Sequence, residues 1–234
     1  MLTQYILSGI TIGAIYALVA LGFAIIYNAS HVINFAQGEF VMIGGMATAA
    51  FFEAGIPLPA AVALSIATAT LVGVLLEKLA VEPARDASVV TLIIITIGAS
   101  ILLRGLATLV WDKKIHRVPA FSGESPISLG GATLLPQVLW VLGVSAVAVA
   151  LLAWFFRRTL TGKAILAVSH NRFAARLMGI SVRRVLAVSF GLSAALGAGY
   201  LSSAYKDVFA FLIIIAALVF LPNGLLGRGA AERV

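Results

Sequence analysis

In the stretch NFAQGEF, Asn34 to Phe40, two amides, a glycine and a carboxylate stand between two apolar runs. Asn34 and Gln37 can each donate and accept hydrogen bonds, and their spacing puts them on one helical face if a helix starts at about Ile33. Gly38 permits close backbone approach. Glu39 is suited to pairing with a basic loop residue or with another subunit. In apolar surroundings such groups must be satisfied internally or face water, because an unsatisfied polar group in hydrocarbon costs several kcal/mol. Two readings fit the motif: a polar constriction, or a hydrogen-bonded helix turn in which Glu39 neutralises a neighbour.

A second concentration of chemistry is basic. Arg157, Arg158, Lys163, Arg172, Arg176, Arg183 and Arg184 fall in one interval that contains no Asp or Glu. Within it, Ala164, Ile165, Val168, Ala175 and Met178 match one helical face, leaving His170, Arg172 and Arg176 to face outward. Thr161 is a candidate cap and Gly179 a candidate stop. A short helix of this kind suits either an anionic lipid surface or a partner that pushes on the flanking spans.

No residue pattern points to catalysis. The chain lacks the GxxxxGK[ST] phosphate loop, so no nucleotide hydrolysis of its own is expected. His31, His116 and His170 are scattered over different loops and predict no metal site. There is no cysteine, which removes disulfides and thiolate ligands. The expectation is a non-enzymatic chain that binds no cofactor.

The elements that must hold these residues follow from composition. Of 234 residues 62% are hydrophobic and 11% charged, and the mean hydropathy is +1.10. That balance belongs to an integral membrane protein of all-α class, residues 1–234 forming a single domain with a loop at 157–185. The net charge of +7 would suggest nucleic acid in a soluble protein. Here the basic residues sit in loops, where they act as orientation signals and lipid-headgroup contacts, and no nucleic-acid partner is expected.

A helix needs roughly twenty residues to cross the hydrocarbon. This ruler predicts seven spans: Ile6 to Tyr27, Phe40 to Gly55, Ala60 to Leu79, Thr91 to Val110, Pro136 to Phe156, Leu186 to Tyr205 and Val208 to Leu221. The second is short unless its turn begins inside the membrane. The N-terminal run reads as a retained first span. Placing the basic interval in the cytoplasm puts the N-terminus outside, Glu77 to Asp86 inside, Asp112 to Leu135 outside, Lys206 and Asp207 outside, and the tail with Arg228 and Arg233 inside. NFAQGEF then lies at the cytoplasmic end of the first two spans. Gly9 and Gly13, Gly44 and Gly45, and Gly191, Gly197 and Gly199 read chiefly as helix-packing positions.

Three segments carry a family resemblance: LVALGFAIIYNASHVINFAQGEFVMIGG at Leu18 to Gly45, GKAILAVSHNRFAARLMGIS at Gly162 to Ser181, and YLSSAYKDVFAFLIIIAALVFLPNGLLG at Tyr200 to Gly227. Together, and in this order, they resemble the membrane permease subunit of bacterial branched-chain amino acid ABC transporters. The resemblance implies an inner-membrane bundle that works with a second homologous permease subunit, two cytoplasmic ATP-binding subunits that use the ATP, and a periplasmic substrate-binding protein. It assigns Gly162 to Ser181 to the cytoplasmic coupling loop, with a helix over Ala164 to Gly179. Gly162, Lys163, Ala164, Ala167, Arg172, Ala175, Arg176 and Gly179 are its candidate ATPase-coupling residues, and Asn34, Gln37, Gly38 and Glu39 the candidate gate. The ligand implied is leucine, isoleucine or valine. Related permeases that carry urea or short amides, and stand-alone secondary transporters or channels, are the alternatives.

The chain departs from the family in three places. Leu166 stands where a basic residue is more usual, and Asn171 where an acidic one is frequent. Between Ala198 and Tyr200 the pattern omits roughly fifty residues, the length of two crossings with their connection. An even number of crossings leaves the predicted sidedness intact.

Overall fold

A computed structural model describes residues 2–111, 118, 120–123, 125–129 and 132–199. The predicted last span, Val208 to Leu221, lies outside these residues, as do Lys206, Asp207, His116 and the C-terminal arginines. The elements in order are α1 (Leu2–Ser30), α2 (Gln37–Glu53), α3 (Leu58–Leu76), α4 (Val89–Trp111), β1 (Ile127–Leu129), β2 (Ala132–Leu134), α5 (Pro136–Arg158), α6 (Leu160–His170), α7 (Arg172–Leu177) and α8 (Val182–Ala198). A π-helical turn, Glu77–Val81, extends α3.

Four stretches are long and apolar enough to cross a membrane: Tyr5–Ser30, Leu58–Val81, Val89–Trp111 and Pro136–Arg158. α2 and α8 have 17 residues each, about 25 Å at ~1.5 Å per residue, against a hydrocarbon core of about 30 Å. Five of the predicted spans therefore correspond to helices, one of them short, and the sixth, Leu186 to Tyr205, to α8 as far as Ala198, its end from Tyr200 lying outside the described residues. The loop between α4 and α5 adds an antiparallel hairpin that the all-α reading omits, with Ile127 opposite Leu134.

Local chemistry explains the boundaries. Gly55, at φ +85°, turns the chain after α2 where a side chain would be strained. Pro59 and Pro136 then sit in the first turns of α3 and α5, where a missing N–H costs nothing.

The core forms where α8 packs against α1, α2 and α3. Phe40 and Phe190 are its largest fully buried side chains, joined by Ile26, Leu76 and Ala194. Close approach requires small residues at the crossings. A Cβ on Gly73 would lie 2.6 Å from the Ala194 methyl and 2.7 Å from the Phe190 carbonyl oxygen. One on Gly44 would overlap Ala198. Gly9 and Gly13 have open space around them instead, as does Gly45, so the packing expected of this GxxxG is not made among the described residues. Inside the core, the Thr48 and Ser65 hydroxyls satisfy each other at 2.7 Å.

The basic connector is two helices. The predicted helix over Ala164 to Gly179 breaks at Asn171, whose backbone is extended (φ −155°, ψ 103°) and whose Oδ1 accepts from the Ala174 N–H at 2.9 Å. α6 is capped by Thr159 and not by Thr161, through a 3.0 Å bond from the Gly162 N–H. Gly179 ends α7 as anticipated, at φ +79°. Ile165, Val168 and Ala175 are buried with Ala29, Val182 and Val185. Met178, expected on the same face, is 81% exposed, because α7 ends at Leu177 and Met178 is its C-cap.

Candidate functional site

NFAQGEF is a turn with a helix start. α1 ends at Ser30 and His31 takes a positive φ of 54°. α2 begins at Gln37, so Asn34 precedes the helix and does not share a face with Gln37. The Asn34 Oδ1 accepts from the Ala36 N–H at 3.1 Å, folding the chain into the helix. Gln37 accepts at Oε1 from the Ser193 hydroxyl of α8 at 2.6 Å. Gly22 of α1 makes room here, since a Cβ on it would lie 2.7 Å from the Gln37 Nε2. Gly38 is half-buried.

Both amides are buried, Asn34 at 2% and Gln37 at 4% exposure, and Glu39 at 3%. The Asn34 Nδ2 and Gln37 Nε2 have no hydrogen-bond partner among the described residues. Native structures rarely leave buried donors unmet. Each amide thus uses its oxygen in a hydrogen bond and leaves its NH2 group without a partner among the described residues.

Glu39 finds a partner the sequence reading did not name. Its Oε1 accepts from Arg104 at 2.6 Å and from the Ser100 hydroxyl at 2.8 Å. Both donors belong to α4, not to a loop or another subunit. Arg104 is the sole charged residue between Thr91 and Val110, and that isolation was the available signal.

The contacts also give the height of the motif along α4. Thr96, which bonds the Ile33 carbonyl and the Phe35 N–H at 3.3 Å each, is seven residues past the start of α4, and Arg104 fifteen. These are about 10 Å and about 22 Å along the helix at ~1.5 Å per residue. The turn that joins α1 to α2 therefore packs about a third of the way along α4, and Glu39 about two thirds. Irregular backbone at that depth survives where protein buries it or where it lines a passage.

The connector reaches this turn directly. The Arg172 Nη2 donates to the Ala29 carbonyl at 2.7 Å, in the last turn of α1, where unpaired carbonyls favour a cation. Arg172 was expected to face outward and instead turns in. Burial first, and the charge of Arg176 second, lower its pKa from the ordinary arginine value. The Arg183 Nε pairs with the Glu82 Oε1 at 3.0 Å. The end of α1, the segment after α3 and the connector thus meet at one end of the bundle, as the predicted alternation requires. Of the candidate coupling residues, Lys163, Arg176 and Gly179 are exposed, Ala164, Ala167 and Arg172 half-buried, and Gly162 and Ala175 buried. A Cβ on Gly162 would strike the Phe155 carbonyl, so this glycine serves the α5–α6 corner.

The family described as the branched-chain amino acid transport system permease component matches residues 5–222. The chain belongs to this family. It is 27% identical over 301 residues to the high-affinity branched-chain amino acid transport system permease protein LivH of Escherichia coli K12, covering 99% of this chain and 97% of that one. The corresponding protein BraD of Pseudomonas aeruginosa is 26% identical with the same coverage. The autoinducer 2 import system permease protein LsrC of an Enterobacter species is 29% identical over 223 residues, 91% of this chain and 58% of its own. No solved structure matches.

Family membership makes the chain a multi-pass transport protein of the membrane, in accord with its apolar helices. The LivH alignment, at 301 residues, exceeds the 234 of this chain by 67, so the relative carries at least that many residues unmatched here. α8 ends at Ala198, and the residues from Tyr200 onward lie outside those described.

Proposed function

We propose that this permease is a membrane subunit of an ATP-driven importer for leucine, isoleucine and valine in a bacterial inner membrane. It pairs with a homologous permease subunit, two cytoplasmic ATP-binding subunits and a periplasmic binding protein. The observation that carries the reading is the match over nearly the whole chain to permeases named for branched-chain amino acids. The connector faces the cytoplasm, with the N-terminus in the periplasm and the C-terminus inside. Leu166, Phe173, Leu177 and Met178, all exposed on the connector, supply an apolar docking strip of the kind interfaces use.

A mechanism follows from the Arg172 bond. Closure of the ATP-binding subunits moves α6 and α7, Arg172 pulls on the end of α1, and the shift reaches Asn34 within a few residues. The unused donors of Asn34 and Gln37 then meet the carboxylate of a passing amino acid, while Gly38 gives the turn room to move. Glu39, fixed by Arg104, anchors the far side. ATP stays with the partner subunits, and this chain holds no cofactor or metal.

The test is reconstitution. The chain should copurify with an ATP-hydrolysing subunit through Gly162 to Ser181, and leucine uptake into proteoliposomes should require ATP and the binding protein. Flux by the chain alone would support a secondary transporter or channel. Urea or a short amide binding to the associated periplasmic protein, with leucine inert, would move the substrate assignment.

A further inference from the structure

A second polar region lies at the connector end of the bundle, beside the turn that follows α1. The π-helical turn after α3 places Glu77 against a cavity of about 420 Å³, bounded by Ser30, the loop to Asp86, and Gly179 to Leu186. Small-molecule sites span roughly 300–1,000 Å³, so the space is far larger than a single ion needs.

The charged groups around it resolve into pairs and a remainder. Arg183 holds Glu82 at 3.0 Å, and Arg85 meets Asp86 at 3.4 Å. Glu77 is 0% exposed, and neither of its carboxylate oxygens has a hydrogen-bond partner among the described residues. Arg172 spends its Nη2 on Ala29 but its buried Nε is likewise unpartnered. Glu77 and Arg172 both line the cavity, and a buried carboxylate and a buried guanidinium N–H without partners among the described residues are costly unless something meets both.

We propose that this cavity binds a small zwitterion, its ammonium on Glu77 and its carboxylate or phosphate on the Arg172 Nε. Four arginines, Arg85, Arg172, Arg176 and Arg183, face three carboxylates there, which opposes a bare metal cation. A simple anion would leave Glu77 unmet. Val32, Leu92, Val182 and Leu186 add apolar wall for an aliphatic side chain. The ammonium-plus-anion chemistry has two sources, a free aliphatic amino acid and an ethanolamine lipid headgroup. The choice of leucine as the probe rests on the transport reading above, whereas the site itself does not.

The test uses the full chain, with the subunits that copurify, in phosphatidylglycerol nanodiscs titrated with L-leucine, 4-methylpentanoate and 3-methylbutylamine. Saturable leucine binding should weaken at least about tenfold when either charge is removed from the ligand, and as much in Glu77→Gln and Arg172→Gln. Should these variants not assemble, leucine should still slow maleimide labelling of Asp86→Cys at the cavity wall. If the lipid is the occupant, leucine does not bind, and phosphatidylethanolamine supplied in the nanodisc is retained in native mass spectra in a Glu77-dependent way. Binding of neither zwitterion, or binding indifferent to Glu77→Gln with Asp86→Cys labelling unprotected, overturns the proposal. ATP-dependent leucine uptake measured on the same preparation reports separately on the transport reading.

Discussion

The Glu39 carboxylate, two residues into α2, accepts a 2.6 Å charge-assisted bond from Arg104 of α4, and the two side chains differ sharply in exposure, 4% for the acid and 68% for the base. The acid is thus fixed inside the bundle while the base spans from the core to its outer face. Removing one partner leaves the other charge in apolar surroundings, whereas removing both does not. Arg104→Met should therefore lower the thermal midpoint more than the double variant with Glu39→Gln. A double-mutant cycle on the purified protein should return a coupling of about 1–3 kcal/mol, and additive effects would show the pair to be incidental.

Asn34→Ala removes both the turn bond to Ala36 and the unused Nδ2 donor. With membrane abundance unchanged, uptake should fall at least about tenfold, the effect of losing one buried polar contact to a substrate. Wild-type uptake in that variant takes the motif out of the translocation route.

Asn171 explains a departure from the family pattern. Its Oδ1 caps α7, and an aspartate accepts the same bond, so either residue serves. Asn171→Asp should keep activity, while Asn171→Ala should cost about 1 kcal/mol of local helix stability. The alanine variant should hydrolyse ATP with reduced uptake per ATP, measured in proteoliposomes. Equal coupling ratios in all three proteins would remove the cap from the transmission path.

Gly73 and Gly13 separate packing from composition. Gly73→Ala collides with the Phe190 carbonyl and Ala194 and should destabilise by about 1–3 kcal/mol. Gly13→Ala meets nothing within 4 Å and should match wild type or exceed it slightly, since alanine favours the helix. Thermal unfolding in detergent compares them, and an unperturbed Gly73→Ala would contradict the α3–α8 crossing.

The absence of cysteine makes sidedness directly measurable. Lys163→Cys, on an exposed position of α6, should react with an impermeant maleimide in inside-out vesicles and stay unlabelled in intact cells. The opposite pattern would reverse the proposed orientation.

Composition and the spacing of apolar runs are enough to set the class. Apolar runs of helical length, punctuated by PLP at Pro57 to Pro59 and by one long arginine-rich interval, leave a membrane bundle as the arrangement that satisfies the backbone. The sequence also locates the polar motif and the connector, because polar residues within apolar runs stand out. What these residues touch is a matter of how the helices pack. That Glu39 meets Arg104, that Arg172 turns inward to Ala29, that Glu77 is buried at a cavity with no partner among the described residues, and that the turn packs against Thr96 all depend on which helices adjoin and at what height. Helical periodicity fixes the face of one helix but not its neighbour or its axial register, and those are set by small residues such as Gly73 and Gly44 letting particular backbones approach.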